Sequence, residues 1–168
     1  RLAEAQNLYA AILVTQGKRA EAAKLLTRAT KLDPKNAQYF SNLGEIERQR
    51  GKTHEANAAL REALHLNPNN PQALNNLGIL HYDKKEYEDA AKCYTRALEI
   101  NKSYPEAHNN LGNALRALGR LDDAIDQYQR AILLREQYPE AYNNMASVLR
   151  DQGQIAEAEH AYRKAITL

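Results

Sequence analysis

The chain has 168 residues, of which 43% are hydrophobic and 26% charged, the composition of a soluble folded protein and not of a disordered tail. Its 23 Lys+Arg against 21 Asp+Glu leave a formal charge of +2, and no basic or acidic block interrupts the even spread, which argues against a nucleic-acid or membrane-surface protein. The single cysteine, Cys93, excludes an internal disulfide and a cysteine-based zinc site.

Neither a run of about 18 apolar residues nor a charged-then-apolar leader occurs, so no membrane span and no secretory signal are predicted. A reducing, cytoplasmic setting is the expectation. The sequence opens at Arg1 and reads as a piece of a longer polypeptide.

Glycine and proline punctuate the chain with a period. Pro71, Pro105 and Pro139 lie 34 residues apart. Counting from the residue aligned with Pro71, five units run over 3–36, 37–70, 71–104, 105–138 and 139–168, the last cut short. The first carries Gly17 at the fifteenth place and Pro34 at the thirty-second. The second holds Tyr39-Phe-Ser-Asn-Leu-Gly44, Gly51 and Pro68, with Glu47 standing where an apolar residue is usual. In the third the phrase becomes Ala73-Leu-Asn-Asn-Leu-Gly78, and Lys85 replaces the fifteenth-place glycine. The fourth has Ala107-His-Asn-Asn-Leu-Gly112 and Gly119, the fifth Ala141-Tyr-Asn-Asn-Met-Ala146 and Gly153.

Within each unit, apolar residues at the fourth, seventh, eighth and eleventh places have the spacing of an amphipathic helix. A second helix follows the fifteenth place, with small residues around one large one: Ala90, Tyr94 and Ala97, then Ala124, Tyr128 and Ala131, then Ala158, Tyr162 and Ala165. Small residues let two helix backbones approach, and the large residue fills the gap between them. Each unit is therefore a predicted helical hairpin. Where the terminal proline is replaced by Lys102 or Glu136, the next unit opens with proline, and the helix stop is expected three residues later.

This order of residues resembles the tetratricopeptide repeat family, over essentially the whole chain. The resemblance implies an all-α, right-handed superhelical solenoid of about five 34-residue helix-turn-helix repeats, forming a single domain in which neighbouring units cover each other's apolar faces. It further implies that the first helices line a concave groove that holds a protein or peptide segment. At 100° per residue, places two, five, six, nine, twelve and thirteen point away from the apolar stripe. The candidate groove residues are accordingly Asn42, Asn75, Asn76, Asn109, Asn110, Asn143 and Asn144, beside Ser41, at places five and six, and Arg48, Tyr82, Arg116 and Arg150 at place twelve. Asparagine amides both donate and accept, so a ladder of them can bond an extended backbone without selecting side chains; the same amides can instead tie adjacent helices together. Arginine forks suit carboxylates. Glu45 and Asp151 lie near Arg48 and Arg150, whereas Arg116, flanked by Asn113 and Ala117, is the least compensated of the three.

Other classes fit less well. The five histidines, His54, His65, His81, His108 and His160, show no metal spacing, and His81 and His108 fall on the apolar stripe, where packing between helices is expected. Every glycine is explained by the repeat, leaving no phosphate loop or nucleophile elbow. Cys93, beside Lys92 on a second helix, reads as a partly packed, inert thiol. No catalytic residue, metal or cofactor is therefore expected. RNA-reading helical arrays favour a longer period and a basic surface. The lysines and arginine with which chaperone-binding repeats clamp a C-terminal carboxylate are absent: Gln38, Gln72, Glu106 and Glu140 hold place two. Finally, Ala141-Tyr-Asn-Asn-Met-Ala-Ser-Val-Leu-Arg-Asp-Gln-Gly153 and Ala158-Glu-His-Ala-Tyr-Arg-Lys-Ala165 are similar to the superhelical arm of the O-linked N-acetylglucosamine transferases. That likeness implies, as the alternative function, a substrate-holding arm for a glycosyltransferase domain outside these residues. The last helix leaves an apolar face without a polar cap, a candidate surface for self-association.

Overall fold

Ten helices account for most of the computed structural model, which describes Arg1–Leu168. They are α1 (Leu2–Thr15), α2 (Arg19–Leu32), α3 (Ala37–Gln49), α4 (Thr53–Leu66), α5 (Pro71–Asp83), α6 (Tyr87–Ile100), α7 (Pro105–Ala117), α8 (Leu121–Leu134), α9 (Pro139–Asp151) and α10 (Ile155–Thr167). The odd-numbered helices are the first helices of the predicted repeats and the even-numbered ones the second. No helix is long and apolar enough to cross a membrane.

The chain gathers into two compact units, Arg1–Leu80 and His81–Leu168. In the first, Ala10, Leu13, Ala22, Ala23, Leu26 and Ile46 form one apolar cluster, and Ala56, Leu60, Ala63, Ala73 and Leu80 form another. In the second, Tyr94 and Tyr128 are the largest fully buried side chains, each between the alanines that the sequence placed beside it. Tyr128 also directs its hydroxyl to Asn113 Oδ1 at 2.8 Å, so the buried phenol is not left without a partner.

The turn inside each hairpin is one motif used repeatedly. In the first repeat Gly17 N donates to Val14 O and Lys18 N to Leu13 O, both at 2.9 Å, which satisfies carbonyls orphaned by the end of α1. The geometry requires a left-handed residue between them: φ is 73° to 78° at Gly17, Gly51, Gly119 and Gly153. Lys85 adopts the same conformation at φ 64°, and Glu86 N still reaches His81 O at 3.0 Å. The repeat thus keeps its turn despite losing its glycine, at the steric cost of a Cβ in the left-handed region.

Between hairpins, the second helices stop at Leu32, Leu66, Ile100 and Leu134, the same repeat place each time. The three-residue shift expected at Lys102 and Glu136 therefore does not occur. The stop is made earlier, by the residue after each helix: Asn67, Asn101 and Arg135 leave the helix at φ −140° to −130° and ψ 93° to 96°. Asn67 and Asn101 then accept from the backbone N–H two residues on, at 3.1 Å each, closing local turns that compete with further helix. Pro105 and Pro139 sit in the first turn of α7 and α9, where the missing N–H is needed by no helical bond.

Glu47 is buried because Arg50, one turn on, meets both of its carboxylate oxygens at 2.9 and 2.7 Å. That ion pair lets a charge occupy a place otherwise reserved for an apolar residue.

Candidate functional site

The asparagines are drawn into cross-links between successive first helices. Asn42 Nδ2 donates to Asn7 Oδ1 at 2.7 Å, and Asn144 Nδ2 donates to Asn109 Oδ1 at 3.0 Å. Each rung runs from the sixth place of one repeat to the fifth place of the preceding one. Asn75, Asn76 and Asn109 are buried, Asn42, Asn110 and Asn144 half-buried, and Asn143 exposed. A rung uses one hydrogen of the donor amide and one lone pair of the acceptor. In Asn144 it leaves the second hydrogen and the oxygen, held in a fixed direction.

In the first unit the rung belongs to a longer amide network. Gln38 Nε2 donates to Asn42 Oδ1 at 2.8 Å and to Gln72 Oε1 at 3.0 Å, and Gln72 Nε2 donates to Glu45 Oε2 at 3.2 Å. Sequence reasoning did not single out Asn7, Gln38 or Gln72 as parts of such a network. The signal was present in the recurrence of glutamine at the second place.

Arg116 departs from expectation. It is not uncompensated: its Nη2 donates to Ser147 Oγ at 2.9 Å and to Asp151 Oδ2 at 3.1 Å. Arg150 holds the other oxygen of Asp151, with Nη2 at 2.9 Å. The two guanidinium groups, Arg150 first, keep the Asp151 carboxyl below the usual carboxylate range. One carboxylate between two arginines leaves this surface with a residual positive charge. Tyr82 packs tilted on Tyr87, ring centres 5.2 Å apart, and burial pushes its phenol upward. Arg48 has a buried Nε without a hydrogen-bond partner.

Both stripe histidines are partnered, in different ways. His108 is buried, with Nδ1 at 2.8 Å from Gln127 Oε1 and Nε2 at 3.1 Å from Lys102 O. His81 is half-buried and meets Glu86 Oε2 at 2.6 Å across the α5–α6 turn. Cys93 is half-buried, and burial pushes its thiol up, away from the reactive thiolate form.

A tetratricopeptide repeat model matches residues 2–71 and 42–105, and further models of the same repeat match 93–126, 112–149 and 139–168. The chain belongs to the tetratricopeptide repeat family. No curated protein matches its sequence. Among solved structures, this tetratricopeptide array is similar to MamA at 24% identity and a TM-score of 0.78, over 94% of this chain and 92% of that one. It is similar to pilF of Pseudomonas aeruginosa at 22% identity and 0.90, over 99% and 76%. A chain of the Cut9–Hcn1 hetero-tetramer of the APC/C gives 23% identity and 0.93, over 98% of this chain and 33% of that one. At these identities the likeness is one of fold.

Proposed function

We propose that this tetratricopeptide array is a protein-interaction scaffold that binds an extended segment of a partner along its first helices and performs no chemistry of its own. The observation that carries the reading is the pair of asparagine rungs, Asn42–Asn7 and Asn144–Asn109. They fix amides in direction before a ligand arrives, so little side-chain entropy remains to be lost on binding. The Cut9–Hcn1 assembly is a case of the same fold in a complex with another protein, which adds support by analogy of fold.

The experiment is calorimetric titration of the 168-residue chain with a peptide selected from a phage-displayed random library. Replacing Asn76, Asn110 and Asn144 together by alanine removes contacts of about 0.5–1.5 kcal/mol each, so affinity should fall roughly tenfold or more while circular dichroism shows the helices retained. Unchanged affinity overturns the reading.

The Ala141–Gly153 and Ala158–Ala165 phrases support a more specific use of the same face, as the substrate-holding arm of a protein O-glycosyltransferase. A sugar-nucleotide-binding domain in the same native polypeptide is the expected finding, and a polypeptide without one overturns it. Exposed Ile155, Ile166 and Leu168 on and after α10 support self-association as well. Sedimentation should show mass rising with concentration, and a monomer at every concentration refutes it.

A further inference from the structure

Beside the Asn42–Asn7 rung, between α1 and α3, lies a hollow of about 200 Å³. Its floor is apolar: Ala10, Val14, Leu26 and Ile46. Ala11, exposed on α1, stands at its mouth, and Glu45 forms part of the wall.

The hollow has a cause in particular residues. Val14 and Leu26 hold the twelfth and twenty-fourth places of the first repeat. At those places in the fourth repeat stand Arg116, which reaches across to Ser147 and Asp151, and Tyr128, which fills the interior and bonds Asn113. Shorter side chains in the first repeat leave the equivalent space open.

The wall has its own chemistry. Glu45 accepts only from neutral amides, Gln49 Nε2 at 3.3 Å and Gln72 Nε2 at 3.2 Å, and forms no ion pair. Its equivalents in the fourth and fifth repeats, Asn113 and Ser147, are neutral. The Asn7 oxygen is taken by the rung, while its Nδ2 donates to nothing in the protein and is left for a ligand carbonyl.

We infer that this hollow is a selective subsite, which takes one aliphatic side chain of the bound segment while a lysine or arginine next to it pairs with Glu45. The inference rests on the proposed binding of an extended segment and adds the sequence that segment carries. The size suits a single side chain: an apolar cavity of about 150 Å³ holds benzene, whereas small-molecule sites begin near ~300 Å³. The uncompensated carboxylate selects the sign of the neighbour.

The test selects binders from a phage-displayed random peptide library on the intact chain and on three variants. On the unaltered chain, peptides should be enriched in leucine, isoleucine or methionine adjacent to lysine or arginine. Ala11→Phe closes the mouth from the solvent side of α1, and Val14→Arg copies the fourth repeat. Both should erase the aliphatic preference and weaken a peptide selected on the unaltered chain by roughly tenfold or more. Glu45→Gln should keep the aliphatic preference and lose the basic one. Ala11→Phe bears little on helix packing and serves if Val14→Arg unfolds. Binders that lack these preferences, or that hold to Ala11→Phe as tightly, overturn this subsite and leave the scaffold reading standing. A library that yields no binder overturns both.

Discussion

Gly112→Ala should destabilise the array, although alanine is the better helix former. A Cβ at Gly112 would lie 2.5 Å from Tyr128 Cε1, 2.8 Å from Cδ1 and 2.9 Å from Cζ. Tyr128 is fully buried with its hydroxyl tied to Asn113, so the ring cannot swing away without giving up that bond. Overpacking of this kind costs about 1–3 kcal/mol. The helix propensity of alanine over glycine returns up to about 1 kcal/mol, and the three close contacts place the cost in the upper part of its range, for a net loss of roughly 1–2 kcal/mol. Urea denaturation followed by circular dichroism measures it. The double variant Gly112→Ala/Tyr128→Ala supplies the control, because it removes the ring atoms that the new methyl meets; leucine would not, since in the corresponding pair of the second repeat a Cβ at Gly44 would lie 2.5 Å from Leu60 Cγ. A coupling of about 0.5–3 kcal/mol between the two sites is expected. The fifth repeat already carries Ala146 at the glycine's place, opposite a Tyr162 that is only half-buried. A Gly112→Ala chain as stable as the parent would refute the claim that the ring enforces the glycine.

Lys85→Gly should raise stability by about 0.5–1 kcal/mol, since it removes a Cβ from a left-handed position; a thermal melt that does not rise counts against it. Arg50→Ala should cost about 1–3 kcal/mol by leaving the buried Glu47 carboxylate without its ion pair. Glu47→Leu should cost little or add stability, and denaturation that ranks the two the other way sinks the reading of that pair. Burial, followed by the charges of Glu140 and Glu106, pushes the Tyr138 phenol up to about 12. The folded state favours the neutral form, so its contribution is complete below the ordinary value of 10.0 and lost as pH rises from there through about 12. Tyrosine absorbance titrated in alkali should show this late ionisation, and its absence would mean an accessible Tyr138. Asp151→Asn should free Arg116 and Arg150, so that an acidic peptide binds more tightly and with a steeper salt dependence than to the parent chain; fluorescence anisotropy at two ionic strengths decides this.

The helices and their turns were legible because glycine, proline and the 3.6-residue period act locally. What one stripe per helix could not show is that a first helix here is enclosed on several sides. Places three and ten, outside the expected stripe, hold some of the most buried residues: Ala73, Ala107 and Ala141, then Leu80, Ala114 and Val148. Asn109, placed by angle on the open face, is buried against α9 through its rung to Asn144. The pairing of Arg116 was missed for a related reason. Its partner Asp151 is 35 residues away, the same offset as both asparagine rungs. Local scanning for charges at three or four residues cannot find it, whereas a scan at one repeat plus one residue would have.

That offset also sets how such a chain can change length. One residue inserted within α7 would turn everything beyond it on that helix through about 100°, parting Arg116 from Asp151. A gain or loss of a whole period instead leaves each residue facing the kind of residue it faces now. Genes encoding arrays of this type should therefore diverge in length by duplication and deletion of entire repeats, with smaller indels confined to the turns.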